Sequence, residues 1–306
     1  MPKNAAPTVL DALRINRGNP DAIIAAGELV DMRFRSGNTL SLRAGKLLCM
    51  LIQEAGIAVV EDTQHRVPYS VVNETFHRSR DELVEAIEEL HSTTVSIGLT
   101  DQDGRRYVKS GPILSDVERE IEELAGAEIR FIFSATLRQV IANSTHWAAI
   151  SRRAVLAFES KYALRLYVFL SLRAGLRKTD EDFDLDDLRD VFGLPPDRLP
   201  RWQDFKRRAL DPAIAEINHL AGFRAAYKPI KRGRKITGVK LAWGLKAGEE
   251  LIEAHRELDR TRTGRTARRE GKVETIAAER QRIADSLARA PFRNPRNGSD
   301  ETERNG

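Results

Sequence analysis

Residues 201–243 read RWQDFKRRAL DPAIAEINHL AGFRAAYKPI KRGRKITGVK LAW, and two periodicities in them decide the fold. Trp202, Phe205, Ala209, Ala213, Ile217 and Leu220 step by three or four residues, which lines one face of a helix. Phe223, Ala225 and Tyr227 then alternate, as do Val239, Leu241 and Trp243, the period of a half-buried strand. Between the two runs, Lys231-Arg232-Gly233-Arg234-Lys235 supplies the turn of a hairpin. Pro212 interrupts the helical run, where it lacks a backbone donor and crowds the preceding turn. A kink or break is expected near Leu210, with Pro212 in the first turn of the next helical segment.

Two more helices precede this stretch. Ala154–Ala174 is rich in helix formers, with Tyr162, Leu166, Phe169 and Leu170 on one apolar face. Asp184 caps a short helix, Leu185–Phe192, which Gly193-Leu194-Pro195-Pro196 stops. The same order, three helices and a hairpin, occurs once before. Ser41 caps a stripe of Leu47, Leu48, Leu51, Ile52 and Ala55 that Gly56 ends, and a short helical candidate comes after Pro68. Ser79-Arg80-Asp81-Glu82 has the capping-box pattern ahead of Leu83, Ile87 and Leu90. Thr93–Leu99 and Arg106–Lys109 flank the turn Asp101-Gln102-Asp103-Gly104. Glu128–Phe133 reads as one more strand, and Ser134 caps a helix running to about Ala142.

The fold class expected is α+β and helix-rich: two tandem winged helix-turn-helix domains followed by a charged, partly helical or disordered tail. Residues 1–37 read as an N-terminal arm with one weak helix, 38–148 as the first domain, 149–246 as the second and 247–306 as the tail. From Lys246 onward the chain has fourteen bases, twelve acids and no aromatic before Phe292, too little apolar surface to bury a core of its own.

Composition bounds the function. The 306 residues are 41% hydrophobic and 31% charged, globular and enough for two domains. The longest apolar run is six residues, Leu47–Ile52, far short of the ~20 of a membrane helix. Met1-Pro2-Lys3-Asn4 opens no signal peptide, so the expected location is cytoplasmic, with no membrane partner. The single Cys49, inside the first apolar stripe, excludes an intramolecular disulfide and reads as an inert core thiol. His65, His77, His91, His146, His219 and His255 make no helical metal-binding pair, and Gly175-Leu176-Arg177-Lys178-Thr179 lacks the glycine-rich loop that cradles phosphate. The acids of Asp180–Asp190 lack calcium-loop spacing and read as a capped, solvated turn. No catalytic residue, metal or cofactor is assigned, and the expectation is a protein that is not an enzyme.

Charge placement points to a partner. Arg201–Lys240 holds eleven cations and three anions, so this stretch carries +8 while the whole chain carries +5. Just upstream, Arg177–Pro200 holds eight acids against four bases. A bounded basic block of this kind is the footprint of a polyanion, against the plainer alternative of a solvated face. In a helix-turn-helix the second helix of the motif enters the major groove. With Trp202, Phe205 and Ala209 turned inward, Arg201, Asp204, Lys206, Arg207 and Arg208 lie on or beside its outer face. Arginine forks suit guanine, each good bidentate pair giving ~1–3 kcal/mol of discrimination. The hairpin tip, with Lys228, Lys231, Arg232, Arg234 and Lys235, is suited to phosphates or the minor groove. In the first copy, Asp81, Glu82, Glu85, Glu88 and Glu89 make the third helix a poor occupant of a groove. Only Arg78, Ser79, Arg80 and the hairpin cations Arg105, Arg106 and Lys109 are left to touch phosphate, so the first domain is read as supporting or associating and the second as reading sequence.

A family resemblance rests on several pieces in order. They are Ser160-Lys161-Tyr162-Ala163-Leu164-Arg165-Leu166-Tyr167, Leu185-Asp186-Asp187-Leu188-Arg189, Phe192-Gly193-Leu194, Phe205–Ile214, Glu216-Ile217-Asn218 and Gly233-Arg234-Lys235-Ile236. Together they resemble the second winged helix of iteron-binding plasmid replication initiators, densely from about Arg152 to Trp243 and only topologically from about Leu40 to Asn143. The resemblance implies a monomer bound to origin direct repeats in double-stranded DNA, helping to open an A·T-rich duplex and recruiting host initiator and replicative helicase. It also implies self-association through the first domain, the dimer repressing the initiator's own promoter. Groove reading falls by position on Arg201, Lys206, Arg207 and Arg208, and the wing role on Lys231, Arg232, Arg234 and Lys235. The alternatives are a winged-helix transcriptional repressor without a replication role and, from another class, a DNA-nicking replication enzyme acting through a tyrosine.

Overall fold

Hydroxyl side chains set the starts of several helices in the first half of the chain. In the computed structural model, which describes residues 8–27, 33–34, 39–76, 80–100, 103–120, 127–144, 146–174, 178–195 and 197–272, Thr8 and Asp11 form a reciprocal capping box on helix α1 (Val9–Ile15). Ser41 Oγ accepts the Ala44 N–H at the start of α2 (Leu42–Ala55), and Gly56, at φ +52°, ends that helix. Helices α3 (Tyr69–Phe76) and α4 (Arg80–Ser92) come next, then the hairpin of β4 (Thr94–Thr100) and β5 (Arg106–Pro112), with the two-residue β2 (Arg33–Phe34) on the other side of β4. The Ser79 cap expected for α4 lies outside the described residues. Strand β7 (Glu128–Phe133) alternates buried and half-buried residues, and Ser134 Oγ accepts the Leu137 N–H to open α5 (Ala135–Asn143).

Several strands escape sequence periodicity for physical reasons. β3 (His65–Pro68) and β6 (Leu114–Arg119) are the edges of a three-stranded antiparallel sheet centred on β7. β3 has only two inward residues, and β6 is charged on its open face, so neither shows a clear period. Another lies in the segment read as an arm. There β1 (Ala22–Ala26) pairs antiparallel with β8 (Trp147–Ser151), from Ala22 opposite Ser151 to Ala26 opposite Trp147. Its two faces enter different cores: Ile24 and Ala26 join the first half of the chain, while Ile23 and Ala25 join Ala148 and Ile150 in the second. A strand buried on both sides reads as an unbroken apolar run, so alternation cannot reveal it.

The second half builds three helices and a wing on one core. What reads as a single helical stretch is two helices, α6 (Arg152–Ala157) and α7 (Lys161–Ala174). Phe158 is extended and fully buried between them, and Ser160 Oγ accepts the Tyr162 N–H to restart the helix. Tyr167 is buried in the core, and its hydroxyl accepts the Ser151 N–H at 2.9 Å. Asp180–Asp184, expected as a solvated turn, is instead strand β9 on the far side of β11 (Lys235–Leu245) from β10 (Phe223–Arg232). Phe183 packs on the core while Asp180 and Asp182 both lie 3.2 Å from Lys240 Nζ on β11. The neighbouring cation is what lets this acidic run pair as a strand. Gly238 is required there, because a Cβ would sit 2.5 Å from the Phe183 carbonyl oxygen.

Residues up to Arg260 form one compact unit and residues from Thr261 a second. The first unit therefore includes the start of the charged tail. Helix α11 (Gly248–Asp259) buries Ala254 and Glu257, and Glu257 Oε1 lies 3.4 Å from His219 Nε2. In the second unit, α12 (Arg265–Arg269) starts from Gly264 at φ +79°. No described helix is long and apolar enough to cross a membrane.

Candidate nucleic-acid interface

The basic third helix of the second half keeps a right-handed backbone from Trp202 through Leu220, with a wide turn in it. Helix α9 (Trp202–Phe205) runs into a π turn, Lys206–Leu210, and on into α10 (Asp211–Leu220). The Asp211 N–H reaches back five residues to the Lys206 carbonyl. Pro212 has no N–H to give the preceding turn and its ring needs room there; the wider π turn supplies that room without breaking the helix. The expected discontinuity near Leu210 is thus a bulge. Its extra residue buries both Ala209 and Leu210 and leaves Arg207 and Arg208 side by side in solvent.

The turn leading into this helix hangs on one buried cation. Arg189, on α8 (Leu185–Val191), is 6% exposed and donates to the carbonyls of Pro195 (3.5 Å), Leu199 (2.6 Å) and Arg198. Its guanidinium lies 5.9 Å from the Phe205 ring centroid. Leu199 has φ +53°, a left-handed conformation unfavourable for a residue with a Cβ, and its carbonyl is one of the three held by Arg189. In the sequence Arg189 stands out only as part of a motif. Its phase next to Leu188 and three residues before Phe192 puts it on the buried face, the one signal that marks it as a structural cation.

The wing rises opposite. β10 and β11 pair from Phe223–Leu245 to Arg232–Lys235, with a bulge between Ile230 and Lys231 and Gly233 at φ +62° in the turn. Pro229 is tolerated because β10 is an edge strand. Lys228, Lys231, Arg232, Arg234 and Lys235 are all exposed at or near the tip. Tyr227 links wing to helix. Its hydroxyl donates to Asp211 Oδ1, its ring meets Trp202 edge-on at 6.3 Å, and partial burial with the Asp211 carboxylate raises its pKa above the usual phenol range.

Charge pairing sorts the basic block. Lys240 is held by Asp180 and Asp182, and Arg224 lies 3.4 Å from Glu250 on α11. Arg207 keeps a loose, exposed contact with Asp204 at 3.6 Å. Among the described residues no carboxylate pairs with Arg201, Lys206, Arg208, Lys228, Lys231, Arg232, Arg234 or Lys235. These cations belong to the helix and wing of one winged helix, and Tyr227 ties those two elements together.

The first copy presents less. Arg78 and Ser79 lie outside the described residues, and Arg80 is the first residue of α4. Arg105 and Arg106 are exposed at the β4–β5 hairpin, whereas Lys109 is half-buried and donates to Gln139 Oε1. Acids of α4 serve the protein itself: Glu82 pairs with Arg43 at 2.6 Å, and Glu89 accepts the Ser41 N–H at 2.6 Å. Cys49 is half-buried within α2, and burial pushes its thiol up to about 12, so it stays protonated and inert.

Two family models match the chain: initiator replication protein, WH1, over residues 23–171, and initiator Rep protein, WH2, over residues 184–243. Among solved structures, the chain is similar to the Pi initiator protein in complex with iteron DNA, at 18% identity and TM-score 0.55, over 74% of this chain and 98% of that one. The WH1 domain of a replication protein isolated from a multiple sclerosis patient aligns at 17% identity and TM-score 0.29, over 38% of this chain and 90% of that one. No curated protein gives a significant match.

Proposed function

This chain belongs to the initiator Rep protein family, and from that membership we propose that it is a sequence-specific duplex-DNA-binding initiator of plasmid replication that acts on direct repeats at its origin. One observation carries the reading: eight cations without carboxylate partners among the described residues sit on the reading helix and wing of the second winged helix, the two elements that this motif lays against a duplex. Arg201, Lys206, Arg207 and Arg208 take the groove. Lys228, Lys231, Arg232, Arg234 and Lys235 take phosphates beside it. The first domain, through Arg78, Ser79, Arg80, Arg105, Arg106 and Lys109, adds backbone contacts and self-association. Bound repeats then allow an adjacent A·T-rich duplex to open, with host initiator and helicase recruited; the protein performs no chemistry on DNA, and its dimer represses its own promoter.

Footprinting of the purified chain on the noncoding DNA beside its gene tests this directly, with sedimentation to count the subunits bound. Protection of evenly spaced direct repeats is expected. Protection of a lone inverted repeat and nothing else would instead support the repressor alternative, and a covalent tyrosyl–DNA adduct would support the nicking enzyme.

A further inference from the structure

A cavity of about 630 Å³ opens where the two halves of the first unit meet. Thr39, Glu89 and Ser92 come from the first winged helix; Lys161, Asp197 and Arg198 come from the second. The walls are in close contact: at Gly193, which has φ +64°, a Cβ would collide with the Thr39 methyl group. Lys161 is half-buried here, its ammonium 3.5 Å from Thr39 Oγ1 and 5.5 Å from the Tyr162 ring centroid. Among the described residues it makes no ion pair, and the nearby Glu89 carboxylate accepts the Ser41 N–H. Arg198 lines the same opening, and its guanidinium also has no partner among the described residues. Burial holds the Lys161 pKa below its ordinary range, with Arg198 and Arg165 adding to the effect and Glu89 opposing it. The half-buried Lys161 ammonium has no ion pair among the described residues, and an oxyanion reaching it past the exposed Arg198 relieves its desolvation, Glu89 supplying only part of that charge.

We propose that this junction cavity holds a phosphoryl oxyanion between Lys161 and Arg198, and that the source is a backbone phosphate of the bound duplex. Position favours that source. Arg198 lies three residues before Arg201, the first residue assigned to the groove, and three residues span at most ~11 Å. A strand passing the start of the reading helix therefore comes within reach of the cavity mouth. Exposed Asp197 at the rim repels phosphate and sets a limit on how deeply the strand enters. A phosphate seated there is held by the second winged helix beside Thr39 and Ser92 of the first. This proposal rests on the duplex-binding function given above.

The test uses the full chain and the double replacement Lys161→Met with Arg198→Met, which keeps the aliphatic stems. Affinity is measured against salt on the footprinted repeat and on a shuffled duplex, alongside thermal melting to confirm the fold. The expected result is a slope of log K on log salt shallower by about 0.9, one phosphate's worth, with equal proportional loss on both duplexes. Neutral methylphosphonate at one backbone position should weaken the parent chain and leave the double variant unchanged. If the parent binds and the double variant keeps the same slope and affinity, the cavity proposal is wrong and duplex binding stands. If the parent does not bind duplex at all, the function itself fails. Calorimetry with inorganic phosphate and with ATP separates the sources: tight binding by the parent, lost in the double variant with the DNA slope unchanged, would assign the cavity to a free phosphate and overturn the duplex source.

Discussion

The Tyr227 hydroxyl donates to Asp211 Oδ1 at 2.5 Å, joining the wing hairpin to the helix it faces. Asp211 is also the residue whose N–H closes the π turn, so one side chain and its own backbone meet where the helix widens and the wing leans in. Tyr227→Phe keeps the ring contact with Trp202 and removes only the hydrogen bond. It should cost about 1 kcal/mol in chemical denaturation and weaken duplex binding more than that stability change explains. Unchanged binding would show that wing and helix act independently.

Arg207 and Arg208 stand in solvent beyond the buried Ala209 and Leu210. Replacing both with alanine should leave stability within about 0.5 kcal/mol, abolish the specific footprint and preserve weak binding to random duplex. A retained footprint would mean that another surface reads the sequence.

At the wing tip the expectation is different. Alanine at Lys231, Arg232, Arg234 and Lys235 should lower affinity for all duplexes together, each lost phosphate contact flattening the salt dependence by about 0.9. For the parent chain, roughly six neutralised phosphates give a slope near −5. A change confined to the cognate repeat would place the wing among the base-reading elements.

Arg189 supports three carbonyls from below the turn that precedes α9. Arg189→Met leaves those partly buried carbonyls without their donor, and a loss of about 2 kcal/mol is expected. Arg189→Lys, which keeps the charge and loses the fork, should recover part of the stability but less of the specific binding. Full recovery of both properties by Arg189→Lys would reduce Arg189 to a simple charge.

His65 provides a pH dependence. It is 8% exposed, its ring lies 5.3 Å from that of Phe131, and its Nε2 has no hydrogen-bond partner among the described residues. Burial, with a smaller push from Arg138 and against Glu61, lowers its pKa below 6.5. The unfolded chain thus binds this proton more readily than the folded one, and stability falls as pH drops through 6.5 toward the folded value. The melting temperature should fall over that window, and His65→Leu should flatten this part of the curve.

Much of the architecture is readable because it is encoded locally. Ser41 and Ser134 cap the helices their spacing announces, Gly56 ends one, and Glu128–Phe133 and the basic hairpin obey their alternation. The candidate cations are readable too, since they crowd one short stretch. Which of them are available is not. Lys240 and Arg224 carry the same charge as Lys228 and Lys231, yet Asp180, Asp182 and Glu250 already neutralise them.

The chain itself determined the order of its helices and hairpins and the concentration of positive charge on one helix and one turn, because caps, periods and glycines act within a few residues. Tertiary structure alone decided that Ala22–Ala26 pairs with Trp147–Ser151, that Asp180–Asp184 becomes a strand, that Arg189 holds the turn beneath Leu199, and that Lys161 and Arg198 share one cavity. The strand pairings and the shared cavity depend on partners far along the chain, and the Arg189 contacts on the path of the turn that follows its helix. Pairing across such separations repays its loop-closure entropy only when the intervening chain has already packed.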